Sequence, residues 1–441
     1  VKGSVSIRER SIAVVPGQAP TFDSATAPVE PWPWRADPDD ASLGRPFDQF
    51  VVKIHGRCNL ACDYCYVYEL RDTGWRDRPR VMAAETARRL IARIVEHVEC
   101  HRLGRVRVIL HGGEPLLAGP EPIARFAGAI RPRLGAVGAT AQLVVQSNGV
   151  LLDAALLDVL ARYDIRVGLS LDGDRAAQDR HRRRPDGRGS HADVARALAL
   201  LELPRHRARL EGLLCTVDLA NEPRATCAAL LAHRPPMIDF LLPHGTWDHP
   251  PPVGVGDAPY GRWLAAAFDH WWDAGRPVRV RLFDAVLDLW AGGSGGSEAV
   301  GLAAADAVVI ETDGTYQWTD SLRAVADGAT ATGLDVRRHP LDAILALRAV
   351  EQPTAGLAAL CATCRSCPVV RICGGGLRAH RHGRGNGFDN PSVYCRDLAF
   401  LVRHVRVRAA ELGPGQSASP VFDAGVRGAR GGIVARSAAF D

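Results

Sequence analysis

Lysine is all but missing from this 441-residue chain: Lys2 and Lys53 are the only two among 54 basic residues. Methionine is as scarce, with two. An excess of Arg, Ala, Gly and Pro in their place looks like codon bias and says little about function. No run of about eighteen uninterrupted apolar residues exists, so no stretch reads as membrane-spanning and no membrane partner is expected. The first residues lack a basic segment followed by an apolar run and a cleavage site, which makes the cytoplasm the expected location. Charge of one sign is never gathered in a block. The net charge of +5 is small and the arginines are scattered, which argues against nucleic acid. With 47% hydrophobic and 23% charged residues, the chain has enough apolar side chain for a large core, so disorder of the whole is excluded.

Cysteine is what the chain has. Eleven are present, and without an export signal they point to metal or redox chemistry rather than a disulfide framework. Cys58, Cys62 and Cys65 form one group, and Cys361, Cys364, Cys367, Cys373 and Cys395 a second. Cys100, Cys215 and Cys227 stand alone and read as buried free thiols, since unpaired Cys packs as a small hydrophobe.

Residues 1–46, rich in Pro, Ala and Asp, show no sustained period and read as an extension. From Phe47 apolar, β-branched runs alternate with helix-patterned stretches. Strands are expected at Phe50–Ile54, Val106–Leu110, Leu143–Gln146, Val167–Leu171, Leu210–Val217 and Ile238–Leu242, with helices such as Ala83–Val98 and Ala154–Tyr163 between them. Repeated βα units imply an α/β fold with a parallel sheet over 47–255, either a partial (βα)6 TIM-like barrel or a doubly wound sheet. In both, ligands gather beyond the C-terminal ends of the strands. A helical bridge is expected over 256–306, a hairpin at the Asp313-Gly314 turn signal, a Cys-rich module over 307–412 with a last helix from about Asp397 to Leu412, and a disordered tail over 413–441.

The segment IHGRCNLACDYCY places Cys58, Cys62 and Cys65 in the loop directly after the first strand. Three thiolates on one short loop can hold a cubane cluster by three of its irons and leave the fourth iron open, whereas zinc sites usually want four ligands in paired knuckles. The spacing C-x3-C-x-aromatic-C, with Tyr64 as the aromatic, resembles the signature of the radical S-adenosylmethionine (SAM) superfamily. The resemblance implies a [4Fe–4S] cluster that binds SAM and, on reductive cleavage, gives a 5′-deoxyadenosyl radical. It implies roles in SAM binding for Gly112, Gly113 and Glu114 of LHGGEP, Asn148 of QSNG, and Ser170 and Asp172 of SLDG. Arg182 falls where related enzymes keep an arginine for the SAM carboxylate, with Arg180, Arg183 and Arg184 as competitors.

Cys364-x2-Cys367-x5-Cys373, followed by Cys395, is similar to the C-terminal SPASM domain of peptide-modifying radical SAM enzymes, which implies an auxiliary [4Fe–4S] cluster; a structural zinc is the alternative. A second auxiliary cluster is not expected, because Thr319 and Leu377 occupy the positions of two of its ligands. Cys361 is left over, either as a bystander or as the fourth ligand in place of Cys395. Asp320, next to Thr319, matches the acid that sulfatase maturases use as a base. A turn or cap aspartate explains it equally well.

Longer segments, CYVYELRDTGWRDRPRVM, LLPHGTWDHPPP and CPVVRICGGGLRAHR, resemble the FxsB group of peptide maturases. That resemblance implies a ribosomal precursor peptide carrying a Phe-x-Ser motif, C–C crosslinking into a three-residue cyclophane, and an electron donor of flavodoxin or ferredoxin type. The alternatives are sulfatase-maturase-like oxidation of a Cys or Ser side chain and a non-catalytic iron–sulfur or zinc peptide-binding module. Phe22-Asp23-Ser24 repeats the Phe-x-Ser pattern within the chain's own extension.

Overall fold

The computed structural model describes residues 45–251, 257–303, 306–351 and 356–411. Phe22-Asp23-Ser24 and the expected tail lie outside the described residues. Six strands form at the six expected places: β1 (Gln49–His55), β2 (Arg105–Gly112), β3 (Thr140–Ser147), β4 (Ile165–Ser170), β5 (Leu210–Thr216) and β6 (Met237–Leu241). Between them run α1 (Ala84–Cys100), α2 (Pro120–Ala136), α3 (Ala154–Arg162), α4 (Arg175–His181), α5 (His191–Glu202) and α6 (Pro223–Ala232). Local chemistry sets the helix ends. Asp153 caps α3 by accepting the Leu156 amide at 2.8 Å, and Asp174 caps α4 through the Ala177 amide at 2.9 Å. Along α1 the buried residues Leu90, Ile91, Ile94 and Val98 fall on one stripe, which packs on the sheet.

Neighbouring strands pair in chain order from β1 to β6, all parallel. A doubly wound sheet would reverse its order partway. Monotonic order with right-handed crossovers keeps the helices on one face, so the structure selects the partial barrel. The sheet stays open and is extended at both edges. β7 (Arg279–Val280) pairs with β6, while β8 (Ala307–Ile310) lies parallel beside β1 and turns at Asp313-Gly314 into β9 (Thr315–Gln317) and β10 (Ala331–Asp335). A short hydrophobic strand such as β8 carries no sequence mark of its distant partner, which is why only its hairpin was legible.

The C-terminal half adds α7 (Pro259–Asp273), α8 (Arg281–Trp290), α9 (Asp342–Glu351), the short α10 (Ala362–Arg365) and α11 (Val370–Cys373), and α12 (Cys395–Ala410). Helices α7 and α12 pack at Gly261, whose amide donates to Asp397 at 2.9 Å; a Cβ there would fall 2.5 Å from the Asp397 carbonyl oxygen. No helix among the described residues is long and apolar enough to cross a membrane. Cys215 and Cys227 are buried as expected, but Cys100 is exposed. It sits on the last turn of α1, where the apolar stripe has already ended.

Candidate active site

The loop after β1 carries Cys58, Cys62 and Cys65 and is locked against the turn after β2. The Gly113 amide donates to the His55 carbonyl at 3.0 Å and the Glu114 amide to the Arg57 carbonyl at 2.9 Å. That approach requires glycine twice. A Cβ on Gly112, which has φ +144°, would lie 2.0 Å from the His55 carbonyl oxygen, and one on Gly113 would lie 2.0 Å from the Tyr68 hydroxyl. Glu114 is fully buried, and its carboxylate accepts from the Leu116 amide (3.0 Å), the Ser147 hydroxyl (2.9 Å) and the Asn148 amide (2.8 Å). Burial pushes its pKa up to about 7, against the pull of those donors. Asn148 in turn donates to Asn59 at 2.8 Å and to the Cys58 sulfur at 3.7 Å. The residues after β2 and β3 thus hold the thiol loop in shape.

Arg182, Tyr64 and Asp172 meet in one chain of hydrogen bonds. Arg182 Nη1 donates to the Tyr64 hydroxyl at 2.8 Å, and Tyr64 donates to Asp172 Oδ2 at 2.5 Å. The Thr216 amide donates to Asp172 Oδ1 at 2.9 Å. Of the competing arginines, Arg180 pairs with Asp218, Arg184 with Asp193, and Arg183 bonds the Asp179 carbonyl. Only Arg182 reaches the thiol loop's cavity, and its Nε is buried there with no partner.

That cavity, of about 190 Å³, is lined by all three thiols, Gly112, Gly113, Asn148, Ser170 and Arg182. The rest of its wall is one that sequence reasoning did not anticipate: Tyr66, Tyr68, His111, Leu214, Leu241, Pro243 and His244. His111 belongs to LHGGEP and His244 to LLPHGTWDHPPP, so adjacency to those motifs was the available signal. Both imidazoles have a buried Nδ1 without a partner, and burial lowers both pKa values, that of His244 to about 4. They are neutral at neutral pH.

The donor set fits an iron–sulfur cluster with SAM. Among the described residues neither cysteine group brings three sulfurs within 4.8 Å of one another, whereas a zinc with Zn–S of about 2.3 Å holds its tetrahedral sulfurs about 3.8 Å apart. A polynuclear cluster tolerates the wider spread. Burial raises the Cys58 and Cys62 thiols to about 12 and 11, so these side chains are thiols until iron takes them as thiolates. The orphan Nε of Arg182 offers a donor to a carboxylate.

Residues 52–202 match the Radical SAM superfamily. That stretch runs from β1 to the end of α5. Over longer spans the chain is 26% identical across 356 residues to the serine-type anaerobic sulfatase-maturating enzyme of Klebsiella aerogenes, covering 77% of this chain and 82% of that one. It is 21% identical across 371 residues to the cysteine-type enzyme of Clostridium perfringens, covering 80% and 94%. The solved structure of anSMEcpe with bound AdoMet superposes with a TM-score of 0.70 at 20% identity, over 83% of this chain and 99% of that one. Streptococcus suis SuiB bound to its precursor peptide SuiA gives 0.52 at 15% identity, over 80% and 77%. The Radical SAM match implies a [4Fe–4S] cluster and SAM as cofactors.

Outside residues 52–202 the second thiol group converges as well. The Cys364 thiol is hydrogen-bonded to Cys361 and feels Cys395, and Cys373 feels Cys367 and Cys364. Arg381, 4% exposed and missed by sequence reasoning, stands against Cys361, Cys364 and Cys373. Thr319, in place of a cysteine, caps the turn through the Ser321 amide. Asp320 Oδ1 accepts from Lys53 at 2.6 Å and from Arg323 at 2.9 Å, and the two cations hold its carboxyl well below the usual carboxylate range against the opposing effect of burial. Lys53 also pairs with Glu311 at 2.9 Å, and Arg323, itself fully buried, with Glu311 and Asp72.

Proposed function

We propose that this chain is a radical SAM maturase of a ribosomally made peptide, removing a β-hydrogen and joining that carbon to an aromatic ring two residues away. The observation that carries the reading is the composition of one cavity: three thiols and Arg182, together with a wall that includes Tyr66, Tyr68, His244 and leucines. Such a wall suits an aromatic side chain. When bound, the cluster and SAM supply the 5′-deoxyadenosyl radical that takes the hydrogen atom. Cys58, Cys62 and Cys65 hold the cluster. Arg182 receives the SAM carboxylate through Nε while Tyr64 and Asp172 fix its plane, and the backbone of Gly112 and Gly113 with the Ser170 hydroxyl lines the remaining contacts. Glu114 and Asn148 keep the loop in register.

Asp320 has a role that suits crosslinking. A ring that has gained a carbon bond and then lost an electron carries a very acidic proton, so even a carboxylate made less basic by Lys53 and Arg323 can accept it. The second group, Cys364, Cys367, Cys373 and Cys395 with Cys361 beside them, would hold one auxiliary [4Fe–4S] cluster, which would offer an electron acceptor there, and the partner expected to supply electrons is of flavodoxin or ferredoxin type. The precursor carries Phe-x-Ser or a close variant. A second reading, oxidation of a Cys or Ser side chain, is favoured by the sulfatase-maturating relatives.

Co-expression with a Phe-x-Ser peptide separates the two. Crosslinking takes one hydrogen from the serine β-carbon and one from the ring, oxidation takes both from serine, and either lowers the peptide by two hydrogens, so mass alone is insufficient. The crosslinked peptide is expected to ignore a hydrazide probe and to give no tandem-mass fragment between Phe and Ser. An adduct with the hydrazide would establish the aldehyde and overturn the crosslink, and unchanged mass with active SAM cleavage would reject both substrates.

A further inference from the structure

A separate cluster of metal-ligating side chains lies at the opposite end of the sheet from the thiol loop. His97 and His101 stand one turn apart near the C-terminus of α1, and Asp342 opens α9. Their ligand atoms all lie within 4.8 Å of one another. His97 Nδ1 is 2.5 Å and His101 Nε2 3.0 Å from the same carboxylate oxygen, Asp342 Oδ1. The outer contact of His97 fixes its chemistry. The ring is 1% exposed, and its Nε2 lies 3.1 Å from the Phe47 carbonyl, which can only accept, so Nε2 carries the proton. With Nε2–H spent on that carbonyl, Nδ1 meets the carboxylate oxygen either as the second N–H of an imidazolium or, in the neutral ring, as a lone pair facing another acceptor. Something positive belongs between them. An imidazole whose far N–H bonds a backbone carbonyl is the usual outer support of a metal-bound histidine. The exposed Cys100, on the same turn, hydrogen-bonds Asp342, but its sulfur is outside the group of ligand atoms that lie within 4.8 Å of one another.

We propose that His97, His101 and Asp342, with a water completing the tetrahedron, bind one zinc ion that clips α1 to α9. Two imidazoles and a carboxylate suit zinc's borderline character. The ion would be structural. The N-terminal ends of the strands in such a fold serve stability rather than chemistry, and this ion ties the C-terminal segment after β10 to the first βα unit. The proposal is independent of the reaction assigned above.

The full chain, its thiol groups first filled by anaerobic iron–sulfur reconstitution, is mixed with one equivalent of zinc chloride and desalted. Wild type is expected to retain about one zinc per chain, and His101→Gln and Asp342→Asn to retain at least tenfold less at unchanged iron content and circular dichroism. Zinc-edge X-ray absorption should show imidazole outer-shell scattering. The proposal falls if wild type keeps no zinc, if both variants keep as much as wild type, or if the ion's shell is sulfur alone, which would place it in leftover cysteine sites. Because His101 lies partly exposed at the helix end, its variant folds even where Asp342→Asn fails to.

Discussion

At the scale of single residues, two hydrogen-bonded groups decide what the cavity can do. Tyr64 joins Arg182 to Asp172 through one hydroxyl. Tyr64→Phe leaves the guanidinium and the carboxylate without their bridge, and bonds to charged groups are worth about 1.5–3 kcal/mol each. The KM for SAM in 5′-deoxyadenosine release should rise by about tenfold or more, while iron content stays put; an unchanged KM would show that the hydroxyl does not orient Arg182. Lys53 is a different case, the one lysine among the described residues, buried between Asp320 and Glu311. Lys53→Met leaves Asp320 to Arg323 and Glu311 to Arg323 and the more distant Arg78, and breaking a buried pair costs about 3–5 kcal/mol, readable by urea unfolding. The sign with pH follows from Asp320. Its pKa is depressed in the fold, so the unfolded chain takes up the proton first as acid is added. The stabilisation is full above the ordinary carboxylate value, about 4, and drains away below it. Wild type should therefore lose stability steeply below about pH 4, and the Lys53→Met chain should lose less over the same range. The single lysine in an arginine-rich chain was visible in the sequence; its partners, more than 250 residues away, were not.

At the scale of elements, the fit of one turn against another is what makes the thiol loop. Gly113→Ala places a Cβ 2.0 Å from the Tyr68 hydroxyl and 2.5 Å from the Arg57 carbonyl oxygen, the second being backbone that cannot step aside. Overpacking of this kind costs about 1–3 kcal/mol, and here it should also lower occupancy of the first cluster, seen as reduced absorbance near the iron–sulfur charge-transfer band after reconstitution. Full occupancy in that variant would mean the loop reaches its shape without the β2 turn. Elements of this kind were legible in proportion to their periodicity. The six strands from Phe50 to Leu242 and the helices α1, α3 and α7 show a period, and α3 a cap, that depend only on neighbours in sequence. The parallel seat of β8 beside β1, and the histidine wall from His111 and His244, depend on contacts across more than a hundred residues. Short-range patterning says nothing of those.

At the scale of the whole molecule, the two thiol groups are joined by a shared wall. The segment after β6, which supplies Pro243 and His244 to the cavity, is bound to the segment between Cys373 and Cys395: Trp247 Nε1 donates to the Pro391 carbonyl at 2.8 Å, and the Tyr394 hydroxyl to the Pro243 carbonyl at 2.6 Å. The rings of His244 and His380 lie 5.6 Å apart. A cofactor held by the second group would thus sit behind the wall that the substrate ring faces, which suits an electron acceptor and not a second hydrogen-abstraction site. If it is an iron–sulfur cluster, the reconstituted chain should carry about eight irons. Cys373→Ala should lower that to about four, with SAM cleavage retained and crosslinked peptide lost, because the first group and Arg182 are untouched while the electron leaving the ring has nowhere to go. A structural zinc gives the opposite pattern, since wild type would then hold about four irons and one zinc, and crosslinking would fall only as far as stability falls. Ferrozine iron, zinc by mass spectrometry and product mass on the same two preparations distinguish these outcomes.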